Sequence, residues 1–160
     1  MPLQRVTYRF TTNLPVSRAR AYEWATDYQE DDLRLAGIQA RRRVEHLAKN
    51  LILLTDSFDI DPFSVRPGAR TVKQKLVHLY PDEWAWTSTH VAGPARHSQF
   101  LYELTPRGPR ASTLHFTGSQ VETVDTRSTA PSLARRAREL QREDSGLWVR
   151  FAEALAHAPR

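Results

Sequence analysis

The chain has 160 residues, of which 40% are hydrophobic and 26% charged, with a formal net charge of +5 and a pI of about 10.0. This size and composition fit one globular domain rather than two. No apolar run reaches the roughly 18 residues of a membrane span, and the first residues lack a secretory signal, so we expect a cytoplasmic protein. The absence of cysteine excludes disulfides, thiolate catalysis and cysteine-ligated zinc.

The positive charge comes from twenty arginines and only three lysines. Such a balance can favour anionic ligands, membranes or nucleic acid, but a GC-rich coding sequence produces the same bias without selection for binding. Arginines are densest at residues 40–46 and 134–142, and in the second segment they share a solvated helix face with glutamates. Because these arginines are not interleaved with exposed stacking aromatics, we do not expect nucleic-acid binding.

The hydrophobic pattern changes in an ordered way along the chain. Residues 5–14 alternate apolar and polar positions like a half-buried strand, and residues 15–28 then follow helical spacing, with Ser17 as the N-cap. A second short helical turn is predicted for residues 29–37, ended by Gly37. About six strands follow, separated by turn residues, at 38–48, 51–60, 70–80, 83–92, 97–105 and 111–121.

The last third of the chain favours one long amphipathic helix. From residue 131 to about residue 157 the apolar residues recur every three or four positions, and Pro131 stands at the start, where its missing N–H does no harm. The order is therefore a strand, a short helical pair, about six antiparallel strands and a long helix. This order indicates an α+β fold in a single domain spanning residues 1–160.

The order and several local patterns resemble the helix-grip superfamily of START domains, polyketide cyclases and the major birch pollen allergen, grouped as SRPBCC. The resemblance covers essentially the whole chain and is carried by "LPVSRARAYEWATDY", "FLYELTPRGPRASTLHF" and "EDSGLWVRFAEAL". It implies a curved antiparallel sheet of about six or seven strands wrapped around the C-terminal helix, with two short helices after strand 1. It also implies a deep apolar cavity, which members use for binding, transport or cyclisation.

Strand parity predicts which side chains would line such a cavity. The bulkier faces of the strands at 83–92, 97–105 and 111–121 are assigned inward, and they carry Trp84, Trp86, Ser88, His90, Phe100, Tyr102, Leu104, Leu114 and Phe116. The strand at 70–80 is ambiguous, because the face that bears His78 competes with an equally apolar opposite face. A slip of one residue in any strand would exchange its two faces.

An apolar wall with a few hydrogen-bonding groups is typical of a small-molecule pocket. We therefore predict a hydrophobic small-molecule ligand bound by Trp86, His90, Tyr102, His78, Phe100, Phe116, Trp148, Phe151 and Asp144. A plainer interpretation stands beside each, since buried aromatics are mostly core and a lone histidine is mostly structural. Asp144 falls on the apolar stripe of the helix, where it either reaches a wet cavity or bonds an arginine at the sheet rim after a bend at Gly146.

Motifs of known catalytic and cofactor chemistry are missing from the sequence, which has no HExxH, GxSxG, P-loop or GxGxxG pattern. The six histidines lack metal-ligand spacing, and although His90 and His97 could face each other across a hairpin, two ligands do not make a metal site. The acidic segment 27–32 is interpreted as a solvated helix end in which Asp31 or Asp32 caps the second helical turn. No cofactor and no metal are therefore expected.

Two functions remain open from the sequence. We favour a binding protein that holds a hydrophobic or aromatic small molecule unchanged in the cavity. The alternative is a polyketide cyclase-like or dehydratase-like enzyme in which His90, Tyr102 or Asp144 acts as general acid or base. A third class, which we favour least, would bind a protein, a membrane surface or RNA through the arginine-rich faces. The sequence fixes neither the ligand nor the oligomeric state.

Overall fold

The computed structural model of the protein describes residues 2–58 and 70–157. The elements within these residues are β1 (Leu3–Leu14), α1 (Arg18–Thr26), α2 (Asp32–Leu35), β2 (Arg41–Ala48), β3 (Leu51–Phe58), β4 (Thr71–Tyr80), β5 (Ala85–Ala92), β6 (Gln99–Pro106), β7 (Ser112–Thr123) and α3 (Ala130–Ala156). The predicted order of strands and helices is confirmed, with ends that differ by a few residues. The end of the strand predicted at 51–60 and the turn residues that separate it from the next predicted strand lie outside the described residues.

The strands form one antiparallel sheet with the order β1-β7-β6-β5-β4-β3-β2. Consecutive strands from β2 to β7 are neighbours, and the chain then places β7 beside β1, so β1 and β2 are the two edges. The curved sheet and the long helix α3 pack against each other, with α1 and α2 between β1 and β2 in sequence. This is the helix-grip architecture that the sequence predicted.

The inner face of the sheet follows from the alternation within each strand. In β1 every second residue is buried, among them Val6, Tyr8 and Phe10, and in β3 the same alternation buries Ile52 and Leu54. These side chains belong to one hydrophobic core that also includes residues of α3. Full burial of each large apolar side chain stabilises the fold by about 1.5–3 kcal/mol.

Helix α3 is continuous over its whole length. The Thr129 hydroxyl accepts the Ser132 N–H at 3.4 Å as an N-cap, and Pro131 stands in the first turn. The helix runs through Gly146 to Ala156 without a break. In the described part of the chain, every helix is too short or too polar to cross a membrane.

The strand predicted from residue 83 begins later, at Ala85. Residues Pro81–Glu83 form a 3-10 turn, and Trp84 follows with a φ of 53° in the left-handed region, outside the sheet alternation. The Trp84 ring packs at 4.6 Å from the Arg18 guanidinium carbon and at 5.7 Å from the Tyr22 ring, both on α1. Trp84 therefore packs against the hydrophobic core, as its inward assignment predicted, but it is not among the residues that line the cavity.

The ambiguous parity of β4 is decided by its two neighbours. Val77 lies opposite the buried Ile52 of β3 and opposite the buried Ser88 of β5, and it is itself completely buried. The face of β4 that carries Val77 is therefore the inner one. His78 points to the opposite face, so its prediction as a ligand-binding residue of the cavity is corrected.

Candidate functional site

A cavity of about 1060 Å³ lies between the inner face of the sheet and helices α1, α2 and α3. Every residue predicted to bind the ligand except His78 lies in its lining, namely Trp86, His90, Phe100, Tyr102, Phe116, Asp144, Trp148 and Phe151. Ligand contact by these side chains remains a prediction. What the structure adds is that residues from β5, β6, β7 and α3 share one space.

Aromatic rings form the centre of the cavity wall. The rings of Trp86 and Tyr102 stack with centroids 4.9 Å apart and planes 3° apart, and Phe116 meets Tyr102 edge-on at 5.3 Å. These three residues are direct cross-strand partners on β5, β6 and β7, which confirms their inward parity. Trp148 of α3 lies 5.8 Å from Tyr102 and covers the row from the helix side. The wall is therefore apolar, and Trp86 and Phe116 within it are almost completely buried by their neighbours.

His90 carries a polar atom without a partner. Its ring meets Phe100 at 5.1 Å, and its Nδ1 is buried with no hydrogen-bond partner among the described residues. Burial lowers the pKa of His90 to about 3, and the charges of Lys75 and Lys73 act in the same direction. The imidazole is therefore neutral at pH 7 and is a weak general base.

His90 and His97 do not form the beginning of a metal site. His97 is exposed and has a φ of 77°, and its N–H donates to the His90 carbonyl at 2.8 Å in the β5–β6 connection. Within residues 2–58 and 70–157, no three histidine or carboxylate side chains are grouped so that they could hold a metal ion.

Asp144 reaches into the cavity from α3 and is paired with a tyrosine. The Tyr8 hydroxyl, on β1, donates to Asp144 Oδ2. Burial raises the pKa of Asp144 above its ordinary value, although the hydrogen bond from Tyr8 opposes the shift, and burial likewise raises the pKa of Tyr8. Within the described residues, no arginine forms an ion pair with Asp144, so the arginine partner considered for it is not found there. Arg136 instead binds Glu122 of β7, with Nη2 2.6 Å from Oε1.

A buried ionic cluster in the same cavity was not anticipated from the sequence. Asp56 of β3 is completely buried and receives two hydrogen bonds from Arg42 of β2, at 2.7 and 2.9 Å. Lys75 of β4 places its Nζ 3.4 Å from Asp56 Oδ2. Burial alone would raise the pKa of Asp56, but these two cations outweigh it and lower the pKa, whereas burial lowers the pKa of Lys75.

Strand parity contains a signal for this cluster. Asp56 has the same parity as the buried Ile52 and Leu54, and Lys75 has the same parity as the buried Val77. A charged residue on the apolar face of a strand must find a partner or water, because a buried unpaired charge is very costly. The signal becomes usable only when the register between β2, β3 and β4 is known, because the partners come from different strands.

The acidic segment 27–32 is only partly solvated, which corrects its interpretation as a solvated helix end. The Asp32 carboxylate accepts the Gln29 N–H at 2.9 Å, lies 3.9 Å from Arg42 Nη1 and lines the cavity. Asp31 occupies the N-cap position of α2, but its side chain makes no capping hydrogen bond. One of the arginines counted in the basic segment 40–46 therefore points into the protein, while Arg41 and Arg43 remain exposed.

The sequence matches no protein-family model and no curated protein sequence. Its structure is similar to a protein from Thermus thermophilus at 13% identity, with a TM-score of 0.71 over 96% of this chain and 99% of that chain. A START superfamily protein from Mycobacterium smegmatis matches at 14% identity and a TM-score of 0.67 over 94% and 97%. The Zhui aromatase/cyclase from Streptomyces sp. R1128 matches at 10% identity and a TM-score of 0.63 over 96% and 92%. At these identities the likeness is one of fold.

Proposed function

We propose that this chain, which has the helix-grip fold of the START/SRPBCC superfamily, binds a hydrophobic or aromatic small molecule between its sheet and helix α3. The observation that carries the proposal is the cavity of about 1060 Å³ with its stacked aromatic wall. Small-molecule sites are concave, mostly apolar and about 300–1000 Å³ in volume, with a few placed polar groups. The lining matches that composition.

The fold supports the same conclusion by a physical argument. A curved sheet and one helix leave a space between them that side chains need not fill, and here large rings line the space instead of closing it. A START superfamily protein and an aromatase/cyclase share the fold, so the fold by itself does not separate binding from catalysis. Whether the protein binds or transforms its ligand therefore depends on the chemistry of the side chains in the cavity.

Native mass spectrometry of the protein purified from its own host tests the proposal, followed by denaturing extraction of any bound compound. A stoichiometric apolar compound is the expected result. Leu147→Trp, which fills the cavity from α3, should abolish its retention, whereas Val149→Trp on the exposed side of the same helix should not. A compound retained equally by both variants would place binding outside the cavity and contradict the proposal.

The alternative function is a polyketide cyclase-like or dehydratase-like enzyme, and one observation favours it specifically. Asp144 has a raised pKa and faces the cavity beside Tyr8, so it could supply a proton to a bound substrate. His90 and Tyr102 are the other candidates for proton transfer. Of these, the imidazole is a weak base because of its lowered pKa, and burial holds the pKa of Tyr102 well above its ordinary value.

Substitutions that remove one proton-transfer group separate the two functions once a ligand is known. An enzyme predicts that Asp144→Asn, His90→Ala or Tyr102→Phe abolishes turnover while the ligand still binds. A binding protein predicts weaker binding and no turnover in any variant or in the wild type. Product analysis by mass spectrometry, alongside binding measured by calorimetry, reads both outcomes from the same samples.

A further inference from the structure

The polar groups of the cavity include a lysine beside a histidine on neighbouring strands. Lys75 on β4 and His90 on β5 are direct cross-strand partners, and both line the cavity. Directly opposed residues on one face of an antiparallel pair have Cβ atoms about 4.5–5.5 Å apart. The side chains of Lys75 and His90 therefore start from neighbouring points of the cavity wall.

The positive charge of Lys75 is only partly balanced. Its one ion-pair partner among the described residues is Asp56, at 3.4 Å, and both oxygens of that carboxylate already receive the shorter bonds from Arg42. Asp32 Oδ2 lies 3.9 Å from Arg42 Nη1. Two cations thus share the Asp56 carboxylate, and the Lys75 ammonium keeps N–H groups that can donate to a further acceptor.

His90 adds an unsatisfied hydrogen-bonding atom at the same place. Its Nδ1 is buried and has no partner in the described part of the chain. An unpaired buried polar atom is destabilising, and most buried polar atoms in native proteins have a hydrogen-bond partner. An anionic group could accept hydrogen bonds from both His90 Nδ1–H and the Lys75 ammonium. It would give the buried imidazole nitrogen a partner and offset the positive charge of Lys75.

We propose that Lys75 and His90 form an anion subsite, and that the ligand is an aromatic or aliphatic organic acid whose carboxylate-type oxygen atoms bind between Lys75 Nζ and His90 Nδ1. This inference rests on the proposed function, because it names the head group of the molecule held in the same cavity. The body of the acid would lie against the aromatic wall of Trp86, Phe100 and Tyr102. The Lys75 end gives a charge-assisted hydrogen bond, which is stronger than a neutral one.

Two fluorescent probes that differ by one anionic group test the subsite. 8-Anilinonaphthalene-1-sulfonate and N-phenyl-1-naphthylamine share an aromatic skeleton, and only the first carries a sulfonate. Both should bind the wild type and compete with each other. Lys75→Met keeps the apolar stem and leaves the Arg42–Asp56 pair intact, so it should weaken sulfonate binding by roughly 10-fold or more while changing the Kd of the neutral probe less than about twofold.

Lys49→Met is the matched control, because it removes the same charge from an exposed turn. It should leave the Kd of both probes unchanged. His90→Phe keeps a ring against Phe100 and removes Nδ1, and it should weaken sulfonate binding by roughly threefold to 10-fold. Lys75→Arg keeps the charge and should retain most of the sulfonate affinity. These two variants decide the question if Lys75→Met does not fold, which circular dichroism establishes.

The outcomes for the two proposals are distinct. If neither probe binds the wild type, the proposed function fails. If the neutral probe binds but Lys75→Met and His90→Phe leave sulfonate binding unchanged, or weaken both probes equally, the anion subsite is overturned and the apolar cavity stands. A loss of sulfonate binding in Lys49→Met equal to that in Lys75→Met would assign the effect to surface charge and would also overturn it.

Discussion

At the scale of single residues, Asp56 is the most consequential charge in the protein. It is completely buried and forms ion pairs with both Arg42 and Lys75. Removing its charge would leave two cations in the cavity wall, where water solvates them poorly. Breaking a buried ion pair by removing one partner costs about 3–5 kcal/mol, whereas an exposed pair contributes at most about 1 kcal/mol. Much of the expected loss of stability is therefore the cost of leaving the remaining charges buried without a partner.

We predict that Asp56→Asn lowers the free energy of unfolding by about 3–5 kcal/mol, as measured by urea denaturation. The control is Glu45→Gln, which breaks the surface pair of Glu45 with the largely exposed Arg43 on the same strand. That change should cost at most about 1 kcal/mol. Equal effects of the two substitutions would show that the buried cluster contributes no more than a surface pair.

Asp144 should make the stability of the protein depend on pH. Its pKa is raised in the folded state, so the folded protein binds more protons than the unfolded chain at pH values between the unfolded pKa, near the ordinary value of 3.8, and the raised folded pKa. The contribution of Asp144 to the stability of the wild type therefore falls as pH rises through this window. Asp144→Asn keeps an acceptor for the Tyr8 hydroxyl and removes the ionisation, so its stability relative to the wild type should increase with pH.

Chemical denaturation of both proteins at several pH values from about 4 to 8 measures this difference. Glu153→Gln, at an exposed position of the same helix, is the control and should not show the increase, since an exposed carboxylate keeps its water on folding. A difference between Asp144→Asn and the wild type that stays constant over this range would argue against a raised pKa for Asp144.

At the scale of elements, two glycines have opposite roles. Gly118 of β7 lies opposite Tyr8 of β1, and a Cβ there would stand 2.8 Å from carbon atoms of both the Tyr8 and the Phe116 ring. The absence of a side chain at this position lets two rings of the cavity wall approach the strand. Gly146 of α3 has open space around its would-be Cβ and lies inside a continuous helix.

Gly118→Ala should therefore destabilise the protein by about 1–3 kcal/mol through overpacking and should displace the Tyr8 ring that positions its hydroxyl against Asp144. Gly146→Ala should instead stabilise it, by up to about 1 kcal/mol, because alanine is the better helix former. Thermal unfolding of the two variants distinguishes these signs. A destabilised Gly146→Ala would mean that α3 needs the freedom of glycine at that point.

At the scale of the whole molecule, the first and last elements of the chain meet. Strand β1 pairs with β7 and contacts α3, and one hydrophobic core includes residues from β1, the inner strands and the helix. Because β1 and α3 share one core with the inner strands, no element can unfold without exposing part of that core. Independent folding of a portion of the sheet would leave the inner face of the remainder exposed.

We predict that the chain unfolds in a single transition, as one domain spanning residues 1–160. Far-UV circular dichroism reports the sheet and α3, and the fluorescence of the four tryptophans reports tertiary packing, including the contact of Trp86 with Trp148. Urea curves from the two signals should coincide in midpoint and slope. Two separate transitions would show that the core is divided into units that fold independently.

The sequence by itself determined the order of the elements, the long amphipathic helix and the inward faces of β6 and β7. These follow from local periodicity, because a period of two or of about 3.6 assigns each residue to a face without reference to distant parts of the chain. The aromatic half of the candidate site could be predicted in the same way, since Trp86, Tyr102 and Phe116 each dominate the face on which they lie.

Only the tertiary structure decided the polar half of the site. The inner face of β4 is set by pairing with β3 and β5, and Asp144 meets Tyr8 across 136 positions of sequence. The cluster of Arg42, Asp56 and Lys75 likewise joins three strands. Burying any of these side chains without its partner would cost free energy. Which partner it meets depends on the strand register and on how the helix packs against the sheet. Local sequence patterns contain neither, because both depend on contacts between segments that are far apart in the chain.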